Sequence, residues 1–79
     1  MSVDEAKHNL RDLREAAGLT QFELAQQMDV TIATISNWER GTSEPFARHL
    51  LKLARLFNVS PFDIVLPEVA KVKRGKAAA

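Results

Sequence analysis

The chain contains no cysteine. That absence excludes a disulfide staple, a thiolate zinc site and a cysteine nucleophile, and it fits a reducing compartment. No apolar run approaches the roughly 20 residues of a membrane span, and the N-terminus has neither a basic start nor an apolar h-region, so a cytoplasmic protein with no membrane contact is expected. Strand-like alternation, internal repeats and Gly/Ser-rich linkers are also missing, which points to a single all-α domain. A chain of 79 residues buries only about 60 to 65% of the surface it exposes when unfolded, too little for a large enclosed active site. His8 and His49 lie far apart, with no paired carboxylates at ligand spacing, and read as surface residues rather than metal ligands or bases. No catalytic residues, metal, cofactor or small-molecule effector is therefore expected.

Charge is nearly balanced overall and unevenly placed. Residues 1–66 carry seven basic side chains against nine acidic ones, a net of −2, whereas residues 67–79 carry four basic side chains against one acidic, a net of +3. The division predicts a domain over 1–66 followed by a basic tail over 67–79. The run from Lys71 to Lys76 reads as a solubilising terminus before it reads as an arm along DNA.

Five helices are predicted. Ser2 and Glu5 have capping-box spacing, and Val3, Ala6, Leu10, Leu13 and Ala17 recur at helical spacing, giving a helix over 3–17. Thr20 and Glu23 form a second capping box that starts a helix over 21–28, with Leu24, Ala25 and Met28 on one stripe. Thr31 caps a third helix, 32–40, which Gly41 ends. Pro45 suits the first turn of a fourth helix, 45–57, whose apolar face is Ala47, Leu50, Leu51, Leu53, Ala54 and Phe57. Asn58 terminates that helix, and Ser60-Pro61-Phe62-Asp63 starts a fifth, short one over 61–66.

The second and third helices are separated by Asp29 and Val30 alone, a sharp elbow in which Asp29 is the residue expected at positive φ. Counting about 100° per residue around the third helix places Ile35 and Trp38 on its core side, and Ala33, Ser36, Asn37 and Arg40 on the opposite side. By the same count Glu39 falls on the flank, partly buried and in need of a partner. Trp38 is thus a core residue rather than one that stacks on a base. Phe22 lies off the apolar stripe of its helix, either an incidental surface aromatic or part of a contact with a second subunit.

These residues resemble the helix-turn-helix repressors of the phage repressor and Cro type, the xenobiotic-response-element-like family. The resemblance rests on Thr20-Gln21-x-Glu23-Leu24-Ala25, Thr34-Ile35-Ser36-x-Trp38-Glu39-Arg40-Gly41, Leu50-Leu51-Lys52-Leu53-Ala54 and Val59-Ser60-x-x-Asp63. It implies a compact, five-helix, lambda-repressor-like domain that binds double-stranded DNA with the helix from 31 to 40 in the major groove. On this resemblance Thr31, Ile32, Ala33, Ser36 and Asn37 contact bases or groove wall, and Gln21, Arg40, Thr42, Ser43 and Arg48 contact phosphate. Arg14 pairs with Glu39. Ile32 and Ala33 replace the polar readers of many relatives, which leaves Asn37 as the hydrogen-bonding reader, with adenine the base that its amide matches.

Asp29 and Asn58 stand where the family usually has glycine. Few cations line the groove face, so the grip of one domain is weak and a homodimer on a near-palindromic site is expected. Phe62, Ile64, Val65 and Leu66 exceed what a small core needs and are the residues expected at that dimer interface. The resemblance also implies transcriptional repression. The acidic balance of residues 1–66 keeps open a module of the same fold that holds a protein partner, such as a toxin or a transcription-complex subunit.

Overall fold

Within residues 8–67, the part of the chain that the computed structural model describes, helix ends follow from side-chain caps and left-handed residues. The helices are α1 (Leu10–Ala16), α2 (Gln21–Met28), α3 (Ile32–Arg40) and α4 (Ala47–Phe57). Asn9 caps α1 by accepting the Asp12 N–H at 2.8 Å, and the Thr20–Glu23 capping box starts α2. The Thr31 side chain accepts the Thr34 N–H at 3.1 Å and starts α3.

Four residues end the helices with positive φ: Gly18, Asp29, Gly41 and Asn58. After each, the next N–H reaches back to a carbonyl near the helix end, as in Leu19 to Arg14, Val30 to Ala25, Thr42 to Asn37 and Val59 to Ala54, at 2.9 to 3.1 Å. This is the Schellman closure, which satisfies carbonyls that the helix itself leaves unpaired. Leu19, Val30 and Val59 then pack against the core, so three of the four stops also direct an apolar side chain inward. At Gly18 a Cβ would meet nothing within 4 Å, so glycine is needed there only for its φ of +76°. Gly18→Ala is expected to cost about 1 kcal/mol, the left-handed penalty less the gain from a stiffer unfolded chain. Urea unfolding followed by the fluorescence of Trp38 measures it.

The core is Leu10, Leu24, Ala25, Met28, Ile35, Trp38, Leu53, Ala54 and Ile64, one or more residues from every helix and one from the last extended segment. It joins the two ends of the described chain. There, β1 (His8–Asn9) and β2 (Ile64–Val65) run parallel, with His8 opposite Ile64 and Asn9 opposite Val65.

Three boundaries correct the expectations. The all-α class holds, with four helices among the described residues in place of five. Over 61–66 there is one 3₁₀ turn, Pro61–Asp63, and then β2. Pro61 and the Ser60 hydroxyl, which accepts the Phe62 N–H at 3.2 Å, tighten the turn. Ile64 and Val65 are β-branched, and Pro67 disfavours helical backbone at Leu66, so the segment extends. Secondly, α1 begins at Leu10. His8 and Asn9 are extended because Asn9 is the cap and their strand pairs with β2; residues 1–7, with the Ser2–Glu5 pattern, lie outside the described residues, as do residues 68–79 of the basic tail. Thirdly, α4 begins at Ala47, two residues after Pro45. Phe46 stands at its N-cap and makes no side-chain cap bond.

Candidate nucleic-acid interface

The elbow between α2 and α3 is fixed by Asp29, whose φ of 61° carries out the expected left-handed turn without glycine. Ile35 and Trp38 are buried, at 0% and 3% exposure, which sets the rotation of α3. The opposite face is consequently open. Ile32 and Ala33 are exposed, Ser36 and Asn37 are half-buried, and Arg40 is exposed.

One carboxylate locks α3 to the two helices before it. Glu39 accepts from Arg14 Nε at 2.6 Å and Nη2 at 3.3 Å, and from Gln21 Nε2 at 3.1 Å. Arg14 Nη1 also donates to the Leu19 carbonyl at 2.9 Å. Side-chain exposure is 11% for Arg14 and 5% for Glu39, so the pair is shielded from water. The hydrogen bond to Glu39 raises the Arg14 pKa, against the lowering effect of burial. The half-buried Glu39 therefore has the partner that the resemblance implied.

Gln21 and Arg40, two of the expected phosphate contacts, meet at one cleft of about 240 Å³ between α1, α2 and α3, which Arg11, Arg14, Ser36 and Glu39 also line. The Gln21 side chain is engaged by Glu39, which leaves its second amide proton and its backbone N–H at the start of α2 for an anion. Thr42 directs its backbone N–H and its hydroxyl at the Asn37 carbonyl, at 2.9 and 3.3 Å, and the Ser43 N–H points there too at 3.4 Å. Arg48 lies elsewhere, on a broader groove of about 840 Å³ between the end of α2 and α4. Thr31 faces solvent with its hydroxyl 2.8 Å from that of Thr34.

On the outward face Arg40 folds back along α3. Its Nη2 donates to Asn37 Oδ1 at 2.7 Å and its Nε to the Ser36 carbonyl at 3.4 Å.

The expected interface residues separate. Phe62 is 85% exposed and Val65 45%, but Ile64 is in the core and Leu66 packs against it. Alternation along β2 separates Ile64 from Val65, because neighbouring residues of a strand point to opposite sides. Phe22 is exposed. His49, expected at the surface, is half-buried with its ring 5.2 Å from that of Trp38. Phe46 was not anticipated by any pattern. It is exposed, stacks on His49 with ring centroids 5.8 Å apart, and carries the Arg48 guanidinium 4.9 Å above its ring. The spacing of an aromatic two and three residues before a cation and a histidine was the available signal.

A model of the helix-turn-helix family matches residues 10–64, which spans α1 to the first residue of β2. The chain belongs to that family. This helix-turn-helix protein is similar to the HTH-type transcriptional regulator ImmR of Bacillus subtilis, 41% identical over 51 residues that make up 65% of this chain and 40% of the relative. It is similar also to the HTH-type transcriptional regulator DicA of Escherichia coli, 38% identical over 66% of this chain and 38% of DicA. An uncharacterized HTH-type transcriptional regulator of Archaeoglobus fulgidus is 37% identical over 72% of this chain and 81% of its own length. The chain spans about two fifths of the length of the two bacterial regulators. No solved structure matches it. No helix among the described residues of this helix-turn-helix protein is long and apolar enough to cross a membrane.

Proposed function

We propose that this chain is the DNA-reading domain of a transcriptional regulator, that α3 enters the major groove, and that it binds as a homodimer to a near-palindromic site. The observation that carries the reading is the two-sided character of α3. Ile35 and Trp38 are buried on one side, and Ile32, Ala33, Asn37 and Arg40 are displayed on the other, with Glu39 tying the helix to α1 and α2. A helix so held presents its outward side chains in fixed register, which readout of base edges requires. The relatives named as transcriptional regulators support the same reading.

Ile32 and Ala33 offer apolar contact to thymine methyl groups, and Asn37 offers hydrogen bonds. Phosphate contacts fall to Gln21 and Arg40 at their shared cleft, with Ser43 and Arg48 beyond it. Of the four residues expected at a dimer interface, Phe62 and Val65 remain exposed and available to a second copy. Repression by occupancy of the site is the regulatory sense that the phage-repressor resemblance implies.

Selection of bound sequences from a random duplex pool tests the proposal. A near-palindrome is the expected product, and absence of any enrichment would overturn it in favour of a protein-interaction module. Affinity for the selected site is expected to fall steeply as salt rises. Asn37→Ala is expected to cost about 1 to 3 kcal/mol on the best site and to relax preference at one base pair per half-site. An unchanged preference would remove Asn37 from the reading set.

A further inference from the structure

An asparagine amide matches adenine only when both of its ends are available, the carbonyl accepting from N6 while the NH2 donates to N7. Guanine makes a different demand, because its major-groove edge presents only acceptors, N7 and O6. The state of the two ends of Asn37 therefore decides between the bases.

Arg40 Nη2 donates to Asn37 Oδ1 at 2.7 Å. A guanidinium has only donors, so its partner must be the oxygen, and this fixes which end of the amide faces Arg40. The other end, Nδ2, has no partner among the described residues and is not buried. The Asn37 carbonyl on the main chain accepts from the N–H groups of Gly41, Thr42 and Ser43, which holds the residue at the closed end of α3. The side-chain bond is charge-assisted and so is stronger than one between neutral groups. To read adenine, Oδ1 would have to accept the N6 proton beside guanidinium protons of the same sign. Oδ1 keeps a second lone pair, so the bond itself survives either base, but only guanine avoids that crowding: Nδ2 and the unused protons of Arg40 all donate, and N7 and O6 both accept. Thymine offers a single acceptor, O4, to the same donors.

We infer that Asn37 and Arg40 form one donor unit that reads guanine, and that Arg40 is the specificity-determining residue that withholds the Asn37 carbonyl from adenine. The inference rests on the DNA-reading function proposed above. It changes the base matched to Asn37 and gives Arg40 a role beyond phosphate contact.

The test is selection from a random duplex pool by the wild-type chain, by Arg40→Met, which keeps the aliphatic stem and removes the donors, and by Asn37→Ala. Circular dichroism confirms that each variant is folded. Wild type is expected to prefer guanine over adenine by about tenfold at one position of each half-site. Arg40→Met is expected to lose that preference and gain adenine at the same position, because the amide is released. Asn37→Ala is expected to lose guanine without gaining adenine. An adenine preference in wild type, or guanine kept at full strength in either variant, overturns the inference while leaving the DNA-reading function standing. No enrichment by the wild type would overturn both.

Discussion

Arg14→Ala is expected to lower the stability of the domain by about 3 kcal/mol or more, although Arg14 makes no hydrogen bond to the outward residues of α3. The loss arises from what remains. Glu39, with 5% side-chain exposure, would retain only the Gln21 amide as a partner, while the Leu19 carbonyl would lose its donor. A carboxylate shielded from water and left without its cation is among the more costly local defects a small protein can carry. The m-value of small domains is about 1 kcal/mol per M of urea at the low end of the range, so the midpoint should move by about 3 M. Trp38, the one tryptophan of the chain, reports the transition. A midpoint equal to wild type would show that the pair contributes nothing.

The same pair yields a second result that separates its cost from its use. Replacing both partners, as in Arg14→Met with Glu39→Leu, removes the uncompensated charge and is expected to recover most of the lost stability. Linkage fixes the pH behaviour. The Arg14 pKa is raised in the folded state, so its charge stabilises at every pH below its unfolded pKa and the contribution fades only as pH rises through the folded value, far above neutrality. The destabilisation of Arg14→Ala should consequently be the same at pH 8 and at pH 9.

Much of the fold was legible because its signals are short-range. The Thr20–Glu23 box, the Thr31 cap and the left-handed stops at Asp29, Gly41 and Asn58 each depend on a few neighbouring residues, and each occurs as read. The burial of Ile35 and Trp38 needed only a count around one helix. What could not be read locally was the fate of Ile64 and Val65. Their apolar run suits a short helix or a strand equally, and the choice depends on His8 and Asn9 at the other end of the domain. Pro67 and the two β-branched residues were signals for extension that the helix-start pattern at Ser60-Pro61 outweighed. The same dependence on His8 and Asn9 decides exposure, because a strand sends Ile64 inward and Val65 outward where a short helix would not separate them so. Within the site, the bond from Arg40 to Asn37 spans three residues of a helix, a spacing at which side chains meet. Phe46 had no periodicity to reveal it, because it lies before α4 and gains its role only from Arg48 and His49.

Trp38→Ala is expected to cost about 3 to 5 kcal/mol, the range for deleting a buried aromatic. Trp38 is 3% exposed and packs α3 against α4 through the ring of His49. Against a total stability of about 5 to 15 kcal/mol, such a loss leaves a domain of this size close to its unfolding transition at 37 °C. Thermal melts followed by circular dichroism measure the effect, and a midpoint within a few degrees of wild type would contradict the core assignment. The variant also discriminates structure from readout. A residue that acts only by holding α3 in place lowers apparent affinity by the fraction of molecules unfolded, and excess duplex restores the folded state by about 2.7 kcal/mol at one hundred times Kd. Sequence preference, measured on the folded fraction, should then equal that of the wild type. A changed preference would mean that the indole meets a base, and the rotation of α3 that places Asn37 and Arg40 outward would have to be abandoned with it.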